Sequence, residues 1–466
     1  MPTPTRTSWT FAIAAIAVFM VTLDKFVVTT ALPVIREDVH ASLGDLEWIV
    51  NAYMLTFAVL LLFGAALGDR FGRKRMFEVG LGLFTAGSLA AALAPDAATL
   101  IAARGIQGVG GAFVVPLTLT LVSTAVPVEK RGAVLGAMLG IGGLGVAIGP
   151  LVGGSIVQGI DWQWIFWLNV PIGLLLIPLA VARLEESHGP TQRLDLPGVG
   201  LASAGLVGIV WGLIRGNDIG WTSPEVIAPI AVGVTLFAGF VLWELRAHEP
   251  MLRLQLFGKR AFAAVNAVSL LMAFALSGSM FVLTQFLQTA QGYSPLAAGV
   301  RTLPWTALPM LTAPVAGKLS DRIGGRPLLF AALVLQAAAL AWLAAGVGPG
   351  SSYDAIAPPF ALAGAASGLF FGTVLNVAVG SVGPEEEGQA SGTNNVAREL
   401  GSVLGVTVLA AVFASRGGYG SPADFVDGLV PALWAGAAAA AGGAVLTLAL
   451  PRRRATSAAV AVPEAA

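Results

Sequence analysis

Few residues of this sequence could do chemistry inside an apolar protein, and Asp24 and Arg104 are the clearest of them. Asp24 lies in the segment LDKFVVTTALP at 23–33, and Arg104 begins RGIQG at 104–108, each within an apolar run. An ionisable group inside a membrane helix costs about 2.5–3.5 kcal/mol, so it usually serves a function. At a rise of about 1.5 Å per residue, Asp24 lies about 13 Å and Arg104 roughly 9 Å from the same end of their helices. An arginine favours the ionised aspartate whereas burial favours the neutral one, and this opposition suits reversible proton binding.

Lys25 and Glu399 are two further charges within apolar runs, and each has two interpretations. Lys25 points about 100° away from Asp24 on a helix, so the two need not pair. Lys25 either lines a cavity, with its ammonium group reaching towards water, or acts as a second cation that tunes proton affinity or favours anionic or zwitterionic cargo. Glu399 follows the segment GQASGTNN at 388–395. It could hold a cation or pair with Arg398, and we favour the pairing.

Other polar residues within the apolar runs are candidates for the lining of a cavity or for bonds between neighbouring helices. They are Asn51, Gln107, Gln285, Gln288 and Asn376. Arg301 lies just inside a later run and is a candidate gating charge.

The rest of the composition excludes several kinds of chemistry. The chain has no cysteine, which excludes disulfides, thiolate metal sites and cysteine nucleophiles. Its three histidines lie in polar stretches between apolar runs, which excludes an interior histidine relay. The chain has 26 Lys and Arg residues and 26 Asp and Glu residues, so it lacks the positive net charge that would indicate a nucleic-acid partner. We expect no metal and no cofactor.

Composition also indicates the elements that hold these residues. Apolar residues make up 56% of the 466 and charged residues only 11%, against about 25% charged in soluble proteins. This predicts an all-α polytopic membrane protein. A scan for runs of about 20 apolar residues predicts fourteen spans between 9 and 450, among them 76–95 and 296–316.

The distribution of positive charge predicts the orientation. With these spans, 20 of the 26 Lys and Arg residues fall on the side of the N-terminus and four on the other side. Positive loops stay in the cytoplasm, so both termini are expected there.

An internal repeat divides the chain. The segment AALGDRFGRKR at 65–75 follows the second predicted span, and a degraded copy, GKLSDRIGGR at 317–326, follows the tenth. A plain six-plus-six repeat would place the copy after the eighth span, so a helix pair is inserted between two halves. We predict a six-helix half at 1–185, an inserted pair with its linkers at 186–260, a second six-helix half at 261–455 and a disordered tail at 456–466.

A glycine-rich run, GVAIGPLVGG at 145–154, lies in the fifth predicted span. Glycines let helices approach backbone to backbone, and Pro150 kinks its helix.

These segments carry a resemblance to a known family. The chain resembles the major facilitator superfamily and, within it, the fourteen-helix drug:proton antiporter family of EmrB/QacA type, over residues 9–450. The resemblance implies proton coupling at Asp24, with Arg104 as its partner. It also implies gating by the repeated loops and by the glycine-rich run, through Asp69, Arg70, Gly72, Arg73, Asp321 and Arg322, and through Gly145, Gly149, Pro150, Gly153 and Gly154. Two positions depart from the family pattern: Ala65 replaces a glycine, and Lys25 replaces a small hydroxyl residue.

The sequence therefore predicts a transporter rather than an enzyme. We expect a monomeric proton-driven antiporter, in a bacterial cytoplasmic membrane, that exports amphiphilic drugs, dyes or antibiotics and uses no cofactor beyond the proton gradient. A dedicated exporter of one self-made metabolite would use the same motifs. The sequence also leaves room for a symporter or uniporter of the superfamily and, with less support, for a membrane-embedded enzyme or receptor.

Overall fold

The structure is a computed structural model that describes residues 4–189, 194–248 and 250–451. The predicted tail at 456–466 lies outside the described residues. So do Arg193, Arg452, Arg453 and Arg454, which contribute to the charge asymmetry of the sequence.

All regular secondary structure in the described part of the chain is helical, and the α-helices are numbered here in chain order. They are α1 Pro4–Asp38, α2 Leu43–Phe71, α3 Arg73–Ala92, α4 Ala97–Ala125, α5 Val128–Gly159, α6 Trp164–Trp167, α7 Asn169–Arg183, α8 Leu196–Ile219, α9 Pro224–Glu244, α10 Arg260–Gln285, α11 Pro295–Thr306, α12 Leu308–Ile323, α13 Gly325–Gly346, α14 Tyr353–Phe371, α15 Val374–Val379, α16 Glu387–Ala414 and α17 Pro422–Leu446. A π-helical turn, Phe286–Ala290, continues α10, and short 3₁₀ turns lie at Leu254–Gly258, Pro384–Glu386 and Thr447–Ala449.

The number of membrane spans differs from the prediction. Twelve helices of the described chain are long and apolar enough to cross a membrane, so the prediction of fourteen is wrong. The predicted span 76–95 corresponds to α3, whose first six residues include four charges and whose later residues include several glycines and hydroxyls. The predicted span 296–316 is divided at Ala307 into α11 and α12, of 12 and 16 residues. Pro309 explains the break, because it cannot donate a backbone hydrogen bond to the preceding turn.

Side-chain caps fix where several helices begin. Ser42 and Asp45 form a reciprocal capping box at the start of α2. Asp96 caps α4, and the hydrogen bond from the Thr99 backbone lowers the pKa of the Asp96 carboxyl. These caps lie at one end of the bundle, together with Arg36, and we call it the Arg36 end. The opposite end, with Arg70, is the Arg70 end.

Two groups of helices form the body of the molecule. In the N-terminal group, α1 packs on α5, α4 and α7, while α4 packs on α2 and α3. In the C-terminal group, α10 packs on α16 and α17, and α13 packs on α14 and α17. The groups meet where α5 contacts α11 and where α2 contacts α16.

Helices α8 and α9 pack closely on each other. Helix α8 also contacts α2 and α16, one helix from each group. Two polar or aromatic contacts hold it there: Asn217 Nδ2 donates to the carbonyl of Ala411 over 2.6 Å, and the rings of Trp48 and Trp211 lie 5.7 Å apart. The pair therefore lies against the junction of the two groups.

Candidate functional site

Asp24 and Arg104 form a buried ion pair between α1 and α4. Arg104 Nη1 donates to Asp24 Oδ2 over 2.5 Å, and the two side chains are each only 1% exposed. The other carboxylate oxygen, Oδ1, accepts hydrogen bonds from Asn169 Nδ2 at 2.8 Å and Gln107 Nε2 at 3.2 Å. The carboxylate of Asp24 therefore receives three donors in a site that water barely reaches.

Arg104 is held in place by groups other than the aspartate. Its Nε donates to the carbonyl of Ile49, and Nη1 also donates to Gln107 Oε1 over 2.8 Å. The guanidinium carbon lies 4.4 Å from the ring centre of Tyr53 and 5.7 Å from that of Phe166. Such cation–π contacts gain strength where the cation is desolvated. The arginine is thus held by contacts to α2 and α6 in addition to its bond to Asp24.

Four helices, α1, α3, α4 and α7, build this site, which we call the Asp24 cluster: Asp24, Ser88, Arg104, Gln107 and Asn169. Gln107 also donates to Ser88 Oγ of α3 over 2.7 Å, so the hydrogen bonds continue beyond the ion pair. An ionised carboxylate with full hydrogen bonding is stable even when buried, and its attraction to the arginine depends largely on its charge. A proton on Asp24 would therefore weaken its contact with Arg104.

The sequence analysis missed two members of the cluster. Asn169 lies in the run IFWLNVPIGLLL at 165–176, where it is the one amide among apolar residues, and that isolation was a usable signal. Ser88 lies in a helix rich in alanine and glycine, where a serine is unremarkable.

A second ion pair lies beside the first and joins the two helix groups. Lys25 Nζ donates to Glu399 Oε2 over 2.6 Å, which connects α1 to α16. Arg398 is 3.9 Å from the other carboxylate oxygen, and its Nη2 donates to Asn395 Oδ1 over 2.6 Å. Glu399 thus takes Lys25 as its closer partner, where the sequence favoured Arg398.

Further polar contacts between the groups lie between the middle of the helices and the Arg36 end. Asn51 Nδ2 of α2 donates to Thr407 Oγ1 of α16 over 2.9 Å. Gln288 Nε2 donates to the carbonyl of Thr30 over 2.8 Å. Thr306 Oγ1 donates to the carbonyl of Ala147 over 3.0 Å.

Gln285 contacts an aromatic residue, Tyr419, at the Arg36 end. It accepts a hydrogen bond from the Tyr419 hydroxyl, and the guanidinium of Arg36 lies 3.7 Å from the Tyr419 ring centre. Burial raises the pKa of the Tyr419 hydroxyl, which keeps it protonated as a donor. Arg36 and Tyr419 thereby connect α1 to the loop between α16 and α17.

The glycine-rich run lies where α5 packs against two other helices. Side chains at Gly149 or Gly153 would overlap α1, at Phe26 and Val27 respectively, and one at Gly145 would lie tight against Leu23. A side chain at Gly154 would overlap the backbone of Pro295 on α11, and one at Gly299 of α11 would overlap the carbonyl of Pro150. Close approach of backbones across the groups therefore requires glycine here.

The loop motif of the N-terminal group lies at the Arg70 end. Asp69 is in the last turn of α2 and accepts a hydrogen bond from Arg73 Nε over 2.8 Å. Gly72 adopts a φ of 105°, which suits glycine in the tight turn to α3. Glu186, rather than Asp69, accepts hydrogen bonds from the first backbone N–H groups of α3. Arg70 is exposed and lies 5.3 Å from the Phe71 ring centre.

The remaining predicted residues lie apart from the two ion pairs. Asp321 and Arg322 are exposed at the Arg70 end, and so is Asn376 on α15. The guanidinium of Arg301 lies 3.8 Å from the Tyr293 ring centre, within the C-terminal group. Among the residues that the structure describes, no three His, Cys, Asp or Glu side chains are grouped so that they could hold a metal ion.

Comparison with known proteins decides the family. The family model described as Major Facilitator Superfamily matches residues 14–406. The chain belongs to the Major Facilitator Superfamily. It is therefore a multi-pass membrane transporter of small molecules, and the twelve apolar helices agree with that membership.

Curated members of the superfamily are similar along most of the chain. The tetracenomycin C resistance and export protein of Streptomyces glaucescens is 35% identical over 91% of this chain and 79% of its own length. The puromycin resistance protein pur8 of Streptomyces alboniger is 34% identical over 96% of this chain and 91% of its own. The multidrug resistance protein Stp of Mycobacterium tuberculosis (strain CDC 1551 / Oshkosh) is 35% identical over 87% of this chain and 76% of its own length.

A solved structure shares the fold at low sequence identity. A POT family transporter in complex with a thioalcohol-conjugated peptide superposes with a TM-score of 0.70, at 14% identity, over 94% of both chains.

Proposed function

We propose that this transporter is a proton-coupled antiporter that exports amphiphilic drugs, dyes or antibiotics across the cytoplasmic membrane by alternating access. The observation that carries the proposal is the Asp24 cluster, a fully hydrogen-bonded carboxylate–guanidinium pair inside the N-terminal group. Similar superfamily members named for antibiotic resistance and export support the export direction.

The chemistry of the cluster supports proton coupling at Asp24. A proton on this carboxylate removes its charge and so weakens its bond to Arg104. Arg104 keeps its contacts to Ile49 and Tyr53, so Asp24 and its helix are the parts free to move. In the proposed cycle, protonation from outside releases cargo, and loss of the proton inward lets cargo bind again.

Alternating access needs an interface that can close at one end. The contacts of Asn51, Gln288 and Thr306 between the groups lie towards the Arg36 end, and so does the close packing at Gly154. They support a conformation closed at that end. The excess of Lys and Arg at the Arg70 end favours a cytoplasmic location for it, so cargo enters there.

The proton gradient supplies the energy in this proposal. Each charge moved down the membrane potential is worth about 2.3 kcal/mol per 100 mV, with the pH difference in addition. The transporter acts as a monomer in a bacterial cytoplasmic membrane, in contact with the bilayer, and needs no cofactor.

The experiment is export of rhodamine 6G from proteoliposomes with an imposed proton gradient. Wild type is compared with Asp24→Asn and with Glu37→Gln, which removes an exposed acid from the same helix. We expect gradient-driven export in wild type and Glu37→Gln and none in Asp24→Asn. Unchanged export in Asp24→Asn would exclude Asp24 as the coupling site, and export without any proton dependence would exclude antiport.

A second candidate is the dedicated export of one antibiotic. The names of several similar proteins mention one compound each, including tetracenomycin C and puromycin. A panel of unrelated dyes separates the candidates, because a dedicated exporter would move none of them.

A further inference from the structure

The two ion pairs and the neighbouring Arg398 together carry one unbalanced positive charge. Arg104, Lys25 and Arg398 supply three cations, whereas Asp24 and Glu399 supply two carboxylates. Arg104 and Asp24 pair with each other and are 1% exposed, so they are closed to other partners. Glu399 is therefore shared by Lys25 at 2.6 Å and Arg398 at 3.9 Å.

Lys25 is the more accessible member of its pair. Its side chain is 17% exposed, against 7% for Glu399. Lys25 belongs to α1 and Glu399 to α16, so any separation of the two helix groups at this depth leaves each without the other. An unpaired ammonium group in apolar surroundings is costly, and a cargo anion that replaces the carboxylate would remove this cost.

We propose that Lys25 binds an anionic group of the cargo, and that the cargo therefore includes monoanionic amphiphiles, with a carboxylate, phenolate or sulfonate on an apolar body, beside any cationic dyes. In the conformation described here the ammonium group of Lys25 pairs with Glu399, and the anionic group of the cargo replaces Glu399 as its partner. One unbalanced positive charge matches one negative charge on the ligand. This inference rests on the proposed export function, since it names the cargo of that function.

A purely structural ion pair has a different signature from a cargo site. If the pair only joins α1 to α16, removal of either charge weakens the same interface, and both variants change in the same direction. If Glu399 competes with cargo for Lys25, the two variants have opposite effects. Lys25→Gln removes the anion-binding group, while Glu399→Gln leaves Lys25 available to the anion.

The test measures dye binding to purified protein and dye export from proteoliposomes. The probes are two xanthene dyes, sulforhodamine B, a net monoanion, and rhodamine 6G, a monocation. We expect Lys25→Gln to raise the Kd of sulforhodamine B about tenfold or more, since a charged hydrogen bond contributes about 1.5–3 kcal/mol. Glu399→Gln should lower that Kd, Lys25→Arg should keep it near wild type, and Lys25→Gln should not raise the Kd of rhodamine 6G.

The outcomes separate this inference from the export function. An unchanged Kd of sulforhodamine B in Lys25→Gln overturns the inference, and so does equal weakening in Lys25→Gln and Glu399→Gln. Wild-type export of rhodamine 6G but not sulforhodamine B also overturns it, while the export function stands. Failure of wild type to export either dye excludes broad dye export and leaves the dedicated exporter, and the binding result then decides the anion site by itself.

Discussion

Replacement of Arg104 by methionine should destabilise the protein mainly by leaving the charge of Asp24 without its cation. The two side chains are each 1% exposed, so water cannot replace the lost partner. Removal of one member of a buried ion pair typically costs about 3–5 kcal/mol. The double variant Asp24→Asn/Arg104→Met removes the unpaired charge, and the new amide can still bond to Asn169 and Gln107. It should recover at least half of the loss.

Thermal unfolding in detergent, followed by tryptophan fluorescence, measures this effect. An unfolding entropy of about 2.1 cal/mol/K per residue gives about 1 kcal/mol/K for 466 residues, so Tm should fall by about 3–5 °C in the single variant. In the double variant it should fall by roughly 1–2 °C. A double variant as unstable as Arg104→Met would show that lost packing, rather than the unpaired charge, sets the cost. A single variant as stable as wild type would refute the reasoning entirely.

Three further predictions follow from other contacts. Asn169→Leu removes one of three donors to the buried carboxylate of Asp24, and a lost hydrogen bond to a charged group costs about 1.5–3 kcal/mol, so Tm should fall by about 2–3 °C; a Tm equal to that of wild type would contradict this. Gly154→Leu should abolish export because its side chain would overlap α11, whereas Gly140→Leu, in open space on the same helix, should retain it; equal export by both variants would count against closure at the Arg36 end. A double-mutant cycle of Asn51→Ala and Thr407→Val should give a coupling free energy of about 1 kcal/mol from denaturation, and purely additive effects would mean that their hydrogen bond does not matter.

The sequence predicted the pairing of Asp24 with Arg104 but not that of Lys25 with Glu399. Asp24 and Arg104 were recognisable because a charge within an apolar run is costly, and the structure places them in direct contact. Asn169 carries no formal charge, so a search for charges within apolar runs passed over it. Lys25 and Glu399 are 374 residues apart in the sequence, and only the folded chain brings Lys25 closer to Glu399 than its sequence neighbour Arg398.

The span count failed for a related reason. Hydropathy averages over a window and does not register the loss of a single backbone hydrogen bond at Pro309, which divides α11 from α12. It also gave too little weight to the charges at the start of α3. Composition therefore predicts the all-α membrane class well, whereas the continuity of each helix depends on local backbone chemistry.

Asp24 and Lys25 are adjacent in α1, and this adjacency connects the two ion pairs. Successive residues of a helix point about 100° apart, so Asp24 faces α4 and α7 of its own group while Lys25 reaches α16 of the other. Both side chains extend from one turn of a continuous helix, so a shift of α1 that follows release of Arg104 must also move Lys25 relative to Glu399. Phe26, the next residue, packs against Gly149 of α5, which in turn contacts α11. In the proposed cycle, proton binding at Asp24 would therefore change the contacts between the groups without any long chain of intermediate residues.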